Sequence, residues 1–287
     1  MRNDKIKGIT FILLAALGFS LMTFFVRLSG DLPTMQKAFF RNFVALFVAT
    51  GAIIKSKEKI TIRKSNRLDM LFRCSFGTAG LIANFYAVDR LGIADANMLN
   101  KLSPFFAIIL SIFILKEIPN RFDIFTTIIA FIGALFIIRP TGAFTSVFPA
   151  LVGLFGGFCA GTAYVFVRKL GNNGERTPVI VFYFSAFSCI ITLPFFVFDF
   201  HPMTALQWIY LILAGISASL GQFSITTAYK YAPAKEISVF DYTQVIFAAI
   251  LGFLFLGQVP VILSFIGYGI IIGIAILRWY RTNHERA

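Results

Sequence analysis

The sequence predicts an all-α integral membrane protein, with ten transmembrane helices arranged as two five-helix copies of inverted topology. Three observations lead there. Hydrophobic residues make up 58% of the chain and charged residues 14%, and the mean hydropathy is +0.82. Soluble domains sit near half apolar and a quarter charged, so this composition belongs in a bilayer. Apolar runs of about 20 residues, the length needed to span, recur along the chain between short connectors. Finally, a fourteen-residue stretch occurs twice. Phe106 to Pro119 reads FAIILSIFILKEIP, and Phe247 to Pro260, 141 residues later, reads FAAILGFLFLGQVP, with six identities. The same offset pairs Val26-Arg27 with Val167-Arg168, Gly80 with Gly221 and Ala87 with Ala228. A match held at one offset across several segments marks a duplicated unit, expected at residues 1–143 and 144–287.

The spans are expected at roughly 7–28, 34–54, 69–89, 94–115, 122–139, 147–168, 177–198, 205–229, 233–256 and 260–279. Arg2, Lys5 and Lys7 precede the first, whose apolar run continues past Leu21. That is too long for a signal-peptide core and lacks a small-residue cleavage site, so it reads as a retained span. The longest connector, Lys55 to Arg67 with six basic residues, separates the second and third. The fourth and fifth are divided at the end of the duplicated stretch, as the ninth and tenth are. Gly153, Gly157 and Gly161 put a row of small residues on one face of the sixth. Their partners in the first span are Ile12, Ala16 and Ser20. Such rows let helix backbones approach closely, as a packing seam or a surface for sliding.

Most of the 26 basic residues fall at the ends and loops on the N-terminal side, against Arg27, Arg90 and Arg139 on the other. The positive-inside rule then puts both termini in the cytoplasm, in a bacterial-type cytoplasmic membrane. Five spans per copy is an odd number. The second copy therefore enters from the opposite side, with a pseudo-twofold axis in the membrane plane.

The net charge of +13 is explained by this topology, so nucleic acid is not expected as a partner. Cys74, Cys159 and Cys189 sit in apolar segments at no metal-like spacing. His201 and His284 lie in a connector and the tail, and there is no HExxH, GxSxG or phosphate-binding loop. No catalytic residue, metal or cofactor is expected, and without a Walker motif any active transport is secondary.

Ionisable groups inside a bilayer cost about 3 kcal/mol or more at its centre, so each marks a candidate site. Arg41 lies roughly 10 Å into the second span from the outer side, and Lys101 at a similar depth in the fourth. Two cations at one level suggest attraction for a carboxylate or other anionic group. Asn97, Asn100 and Lys101 share one helical face. Asp241, roughly 12 Å from the cytoplasmic side of the ninth span, falls in the repeat slot of Asn100. Tyr242 and Gln244 lie near it. Asp241 is the candidate for proton coupling or for meeting a substrate cation. Asn84, Gln222, Thr226 and Thr227 are further lining candidates. Arg41 could instead tie helices through backbone carbonyls, and Lys101 and Asp241 could neutralise one another. Arg73, one turn from the edge, is expected to snorkel. Glu117 and Gln258, repeat partners at span ends, are expected to be structural.

The most distinctive segments are FYAVDRLGIADANMLNKLSPFFAIILSIFILKE from Phe85 and AYKYAPAKEISVFDYTQVIFAAILGFLFLGQ from Ala228. Over nearly its whole length the chain resembles the drug/metabolite transporter superfamily, in its EamA-type branch. Arg41 in FFRNFVAL resembles a basic position common in that family's second span. Val245 stands where the family often has Pro, Gln258 where it often has Glu, and Lys116 where it often has Gly. Lys101 is not a general family feature. The resemblance implies a central cavity lined by spans 1–4 and 6–9, with peripheral fifth and tenth helices.

Together these point to a secondary transporter moving a small polar organic metabolite by alternating access. An amino acid, a nucleoside-linked amino acid derivative or an organic acid would fit. Arg41 and Lys101 would hold its anionic group, with Asp241 roughly 8 Å deeper in a hydrocarbon core of about 30 Å. Expected partners are that substrate, a coupling proton or ion, the lipid bilayer and a second copy of the chain. The alternatives are export of bulky organic cations and, from another class, a non-transporting receptor or scaffold.

Overall fold

The computed structural model describes residues 2–57, 60–91, 93–138, 147–257, 259 and 262–284. Arg139 and Gln258, invoked above, lie outside them. The first copy runs α1 (Arg2–Leu28), α2 (Thr34–Ser56), α3 (Arg67–Leu91), α4 (Ile93–Asn100), α5 (Ser103–Leu115) and α6 (Arg121–Ile138). The second runs α7 (Val147–Asn172), α8 (Thr177–Phe198), α9 (Ala205–Tyr231), α10 (Ala234–Ile237), α11 (Thr243–Leu256) and α12 (Ile262–His284). Short 3-10 turns at Lys64–Asn66 and Ser238–Tyr242 complete the described elements.

Among the described residues, nine helical stretches are long and apolar enough to cross a membrane. The tenth span is α3, which has the length at 25 residues but carries Arg67, Asp69, Arg73, Asp89 and Arg90. The chain is thus an all-α, multi-pass membrane protein.

The fourth and ninth spans, expected as single helices, are both broken, and at repeat-equivalent positions. In the fourth, Pro104 opens α5. Its ring removes a donor and clashes with the carbonyl four residues back, so the ladder stops at Asn100. The ninth has no proline. There Ser238 and Thr243 turn their hydroxyls back onto the carbonyls of Ala234 and Phe240, which competes with regular helical bonding. Side chains from other elements satisfy the displaced groups. Ser20 Oγ donates to the Gln244 carbonyl at 2.9 Å, and Lys101 Nζ to the Asp241 carbonyl at 3.3 Å. In return, the Tyr242 hydroxyl donates to the Lys101 carbonyl at 3.1 Å. Each break caps the other.

Helix packing obeys the inverted repeat. α1 packs along α9, and its equivalent α7 packs along α3. α5 on α7 is answered by α11 on α1, while α2 meets α8 and α6 meets α12. Exchange of partners between copies is what a twofold axis produces. With five spans per copy, that axis lies in the membrane plane.

The sixth-span glycine row faces the first break. A Cβ on Gly157 would fall 2.6 Å from Leu99 O, and one on Gly161 2.7 Å from Ser103 O. Backbone therefore lies on backbone here. At the equivalent point of the other copy, Ser20 fills the place of Gly161 and bonds the Gln244 carbonyl. α6 and α12 pair at the periphery and expose Ile128, Ile132, Ile272 and Ile276 to lipid.

Candidate functional site

The eight inner spans enclose a cavity of about 160 Å³. Its lining comes from spans 1–4 and 6–9 and from neither α6 nor α12, as the family resemblance implied. The two helix breaks meet at this cavity. Lys101, just past the end of α4, donates to Asp241 Oδ2 at 2.8 Å and to Gln244 Oε1 at 2.7 Å. The pair is almost wholly withdrawn from solvent, with side chains 9% and 10% exposed.

This geometry corrects the two-level arrangement expected from counting residues. Asp241 does not sit below Lys101. It is bonded to it, because neither span is a continuous helix and the two breaks converge from opposite sides. The neutralising alternative is the one observed. An ion pair in such surroundings is held mainly because either charge alone would be uncompensated.

Asn84, Asn97, Asn100 and Gln222 also line the cavity, together with Arg41. Arg41 does not tie helices through carbonyls. Its Nε donates to Met22 Sδ at 3.1 Å, and its Nη1 has no partner among the described residues. Gln222 Nε2 is likewise buried without a partner. Tyr242, expected to touch substrate, is fully buried behind the wall. Its hydroxyl is spent on Lys101, so it positions the site rather than lining it. Thr226 is buried away from the cavity, and Thr227 bonds Thr177 and the Phe223 carbonyl.

The largest departure is Arg73. Rather than snorkelling to the membrane edge, it is 2% exposed and lines the cavity. Its guanidinium lies 4.0 Å from the Phe184 ring centre, in a cation–π contact. Tyr164, Phe19 and Phe85 add aromatic surface. The sequence signal for Arg73 was Gly77 one turn later, which leaves room for the side chain to fold inward.

Glu117 lies outside the cavity and pairs with Arg168 at 3.0 Å, a structural role. It belongs to a dense network at the end of the bundle where α1 begins and α12 ends. There Glu175 accepts from the Arg63 backbone and from Asn66, at 3.0 and 2.9 Å. Lys169 pairs with Asp69 at 2.8 Å, and Arg168 also donates to the Lys230 carbonyl at 2.8 Å. At the opposite end, Gln36 exchanges two bonds with the His201 backbone, both 3.0 Å. Gln207 there donates to the Ser29 carbonyl at 3.1 Å. From the level of Arg73 the cavity extends toward that opposite end, where Met22, Asn84 and Phe85 line it.

Comparison with known proteins follows the same lines. The sequence profile of the EamA-like transporter family matches residues 6–139 and again residues 147–279. The pseudopaline exporter of Pseudomonas aeruginosa (strain UCBPP-PA14) is 30% identical over 278 residues, covering 96% of each chain. Human solute carrier family 35 member G1 is 25% identical over 294 residues, covering 96% of this chain and 80% of its own. A riboflavin transporter of Brucella anthropi is 26% identical over 248 residues, covering 84% and 86%. A crystal structure at 13% identity superposes with a TM-score of 0.84 over 98% of this chain and 99% of its own. That likeness concerns the fold alone.

Proposed function

The chain belongs to the EamA-like transporter family, and from this premise we propose that it moves a small polar organic metabolite bearing an anionic group. The relatives named for pseudopaline and riboflavin carry different solutes, so family membership does not choose the substrate. The site must. One observation carries the proposal: two guanidiniums, Arg41 and Arg73, face one cavity, while the carboxylate there, Asp241, is already matched by Lys101. A buried charge without a counter-charge costs several kcal/mol, and a bound anionic group would relieve that cost. Organic acids, amino acids and nucleoside-linked amino acid derivatives all contain such a group.

The transport cycle is secondary and works by alternating access, with residues 1–143 and 144–287 as the two inverted units. With both termini in the cytoplasm, the ion-pair network closes the inner end and the cavity faces outward. The paired breaks in the fourth and ninth spans serve as hinges, since both bend at the bound solute. Asp241 carries the coupling proton when it parts from Lys101.

Thermal-shift titration of the purified protein against anionic, zwitterionic and cationic metabolites tests this, because a ligand that binds the folded state raises its apparent stability. Anionic compounds are expected to stabilise the wild type and to lose that effect in Arg41→Gln. Stabilisation by organic cations, untouched by Arg41→Gln, would instead support export of bulky cations. The aromatic lining would suit such ligands, but the two guanidiniums would repel them.

A further inference from the structure

Arg73 turns into the bundle instead of out to its edge. Side chains on a helix lean toward its N-terminus. Arg73 is less than two turns from the start of α3 at Arg67, so leaning that way would carry its charge to the membrane edge. It runs the other way instead. A Cβ at Gly77 would collide with Arg73 Nη1 and lie 2.7 Å from Phe184 Cε2. The guanidinium is therefore threaded between a bare stretch of α3 and an aromatic ring from α8. Its Nε is buried with no partner among the described residues.

The donors left over in the cavity form a pattern. Arg41 Nη1, Arg73 Nε and Gln222 Nε2 are buried and unpartnered, and all three residues line the cavity. The buried oxygens without partners belong to Glu117, Ser185, Thr226 and Glu236, and none of these lines it. What the cavity lacks is acceptors. Charge agrees: Arg41, Arg73 and Lys101 stand against Asp241 among the described lining residues, so two positive charges are unmatched. Arg41 sits beside Met22, and Arg73 lies over Gly77.

We propose that the solute carries two anionic groups, one held by Arg41 and the other by Arg73, and that Arg73 sets the preference for a dianion. This rests on the reading of the cavity as an anion site given above. A zwitterion would answer only one guanidinium. A doubly charged solute answers both.

The test is calorimetric titration of the purified full-length protein with succinate, glutarate and adipate, using acetate, butyrate and chloride as references. One dicarboxylate length is expected to bind more tightly than butyrate by roughly 10- to 100-fold, as an added charge-assisted contact would give. Arg73→Gln should bring that ratio to about one. Gly77→Ala keeps the cation but displaces it, and should lower the same ratio, so the inference stands even if Arg73→Gln does not fold. Gel filtration checks each variant for folding. Equal binding of mono- and dicarboxylates by the wild type, or a ratio unmoved by Gly77→Ala, would overturn the inference while leaving the anion site intact. Binding of chloride alone would overturn it too, because the guanidiniums would then hold only small counter-ions. If no carboxylate binds, the proposed function falls with it.

Discussion

Lys101 and Asp241 hold the two copies together at the point where both are broken. Removing one partner leaves a buried charge, which typically costs about 3 kcal/mol or more, whereas removing both costs less. Lys101→Met and Asp241→Asn should therefore each lower the melting temperature more than the double variant does. Thermal unfolding in detergent measures this, and additive losses would mean that the two residues are not coupled. Tyr242 makes a second prediction. Tyr242→Phe removes one hydrogen bond to the Lys101 carbonyl and should cost about 1 kcal/mol of stability. Asn84, Asn97, Asn100 and Gln222 were legible in the sequence because polar side chains stand out on apolar helices. The Lys101–Asp241 bond was hidden because counting depth assumes straight spans. Arg73 was misjudged because its inward course depends on Phe184, which lies 111 positions away.

The two halves of the repeat are most alike in how α5 and α11 end. Both stop on a left-handed residue, Lys116 at φ 59° and Gly257 at φ 63°, whose backbone N–H returns to Ser111 and Gly252 respectively. Glycine adopts this conformation freely, while other residues pay about 1 kcal/mol for it. Lys116→Gly should accordingly raise stability by up to about 1 kcal/mol, read as an increased melting temperature. The glycine seam of α7 makes the opposite prediction. Gly161→Val would drive side-chain atoms into the Ser103 carbonyl and the backbone of α5, and should destabilise by several kcal/mol. Helix locations were readable from hydropathy. The break at Pro104 has a sequence cue, but the break at Ser238–Tyr242 has none as plain, since it depends on hydroxyl back-bonding and on Lys101 from the other copy.

The molecule as a whole keeps the two-copy design that one repeated stretch announced. An offset of 141 residues together with five spans per copy was enough to infer the inverted fold. The network of Arg63, Asn66, Glu175 and Lys169 was not legible, because its contacts converge only in three dimensions. If this network is the inner gate, Glu175→Ala should open it. Buried Cys74, one residue from Arg73, should then react faster with a small maleimide in membranes than it does in the wild type. An unchanged rate would assign the network to folding alone. Counterflow into proteoliposomes goes directly to whether the cavity carries solute. Labelled organic acids or acidic amino acids should accumulate in vesicles preloaded with the same unlabelled compound, and Lys101→Ala and Asp241→Asn should each abolish the accumulation. Accumulation of cations alone, or anion uptake that survives both substitutions unchanged, would contradict the assignment of this cavity as an anion pathway.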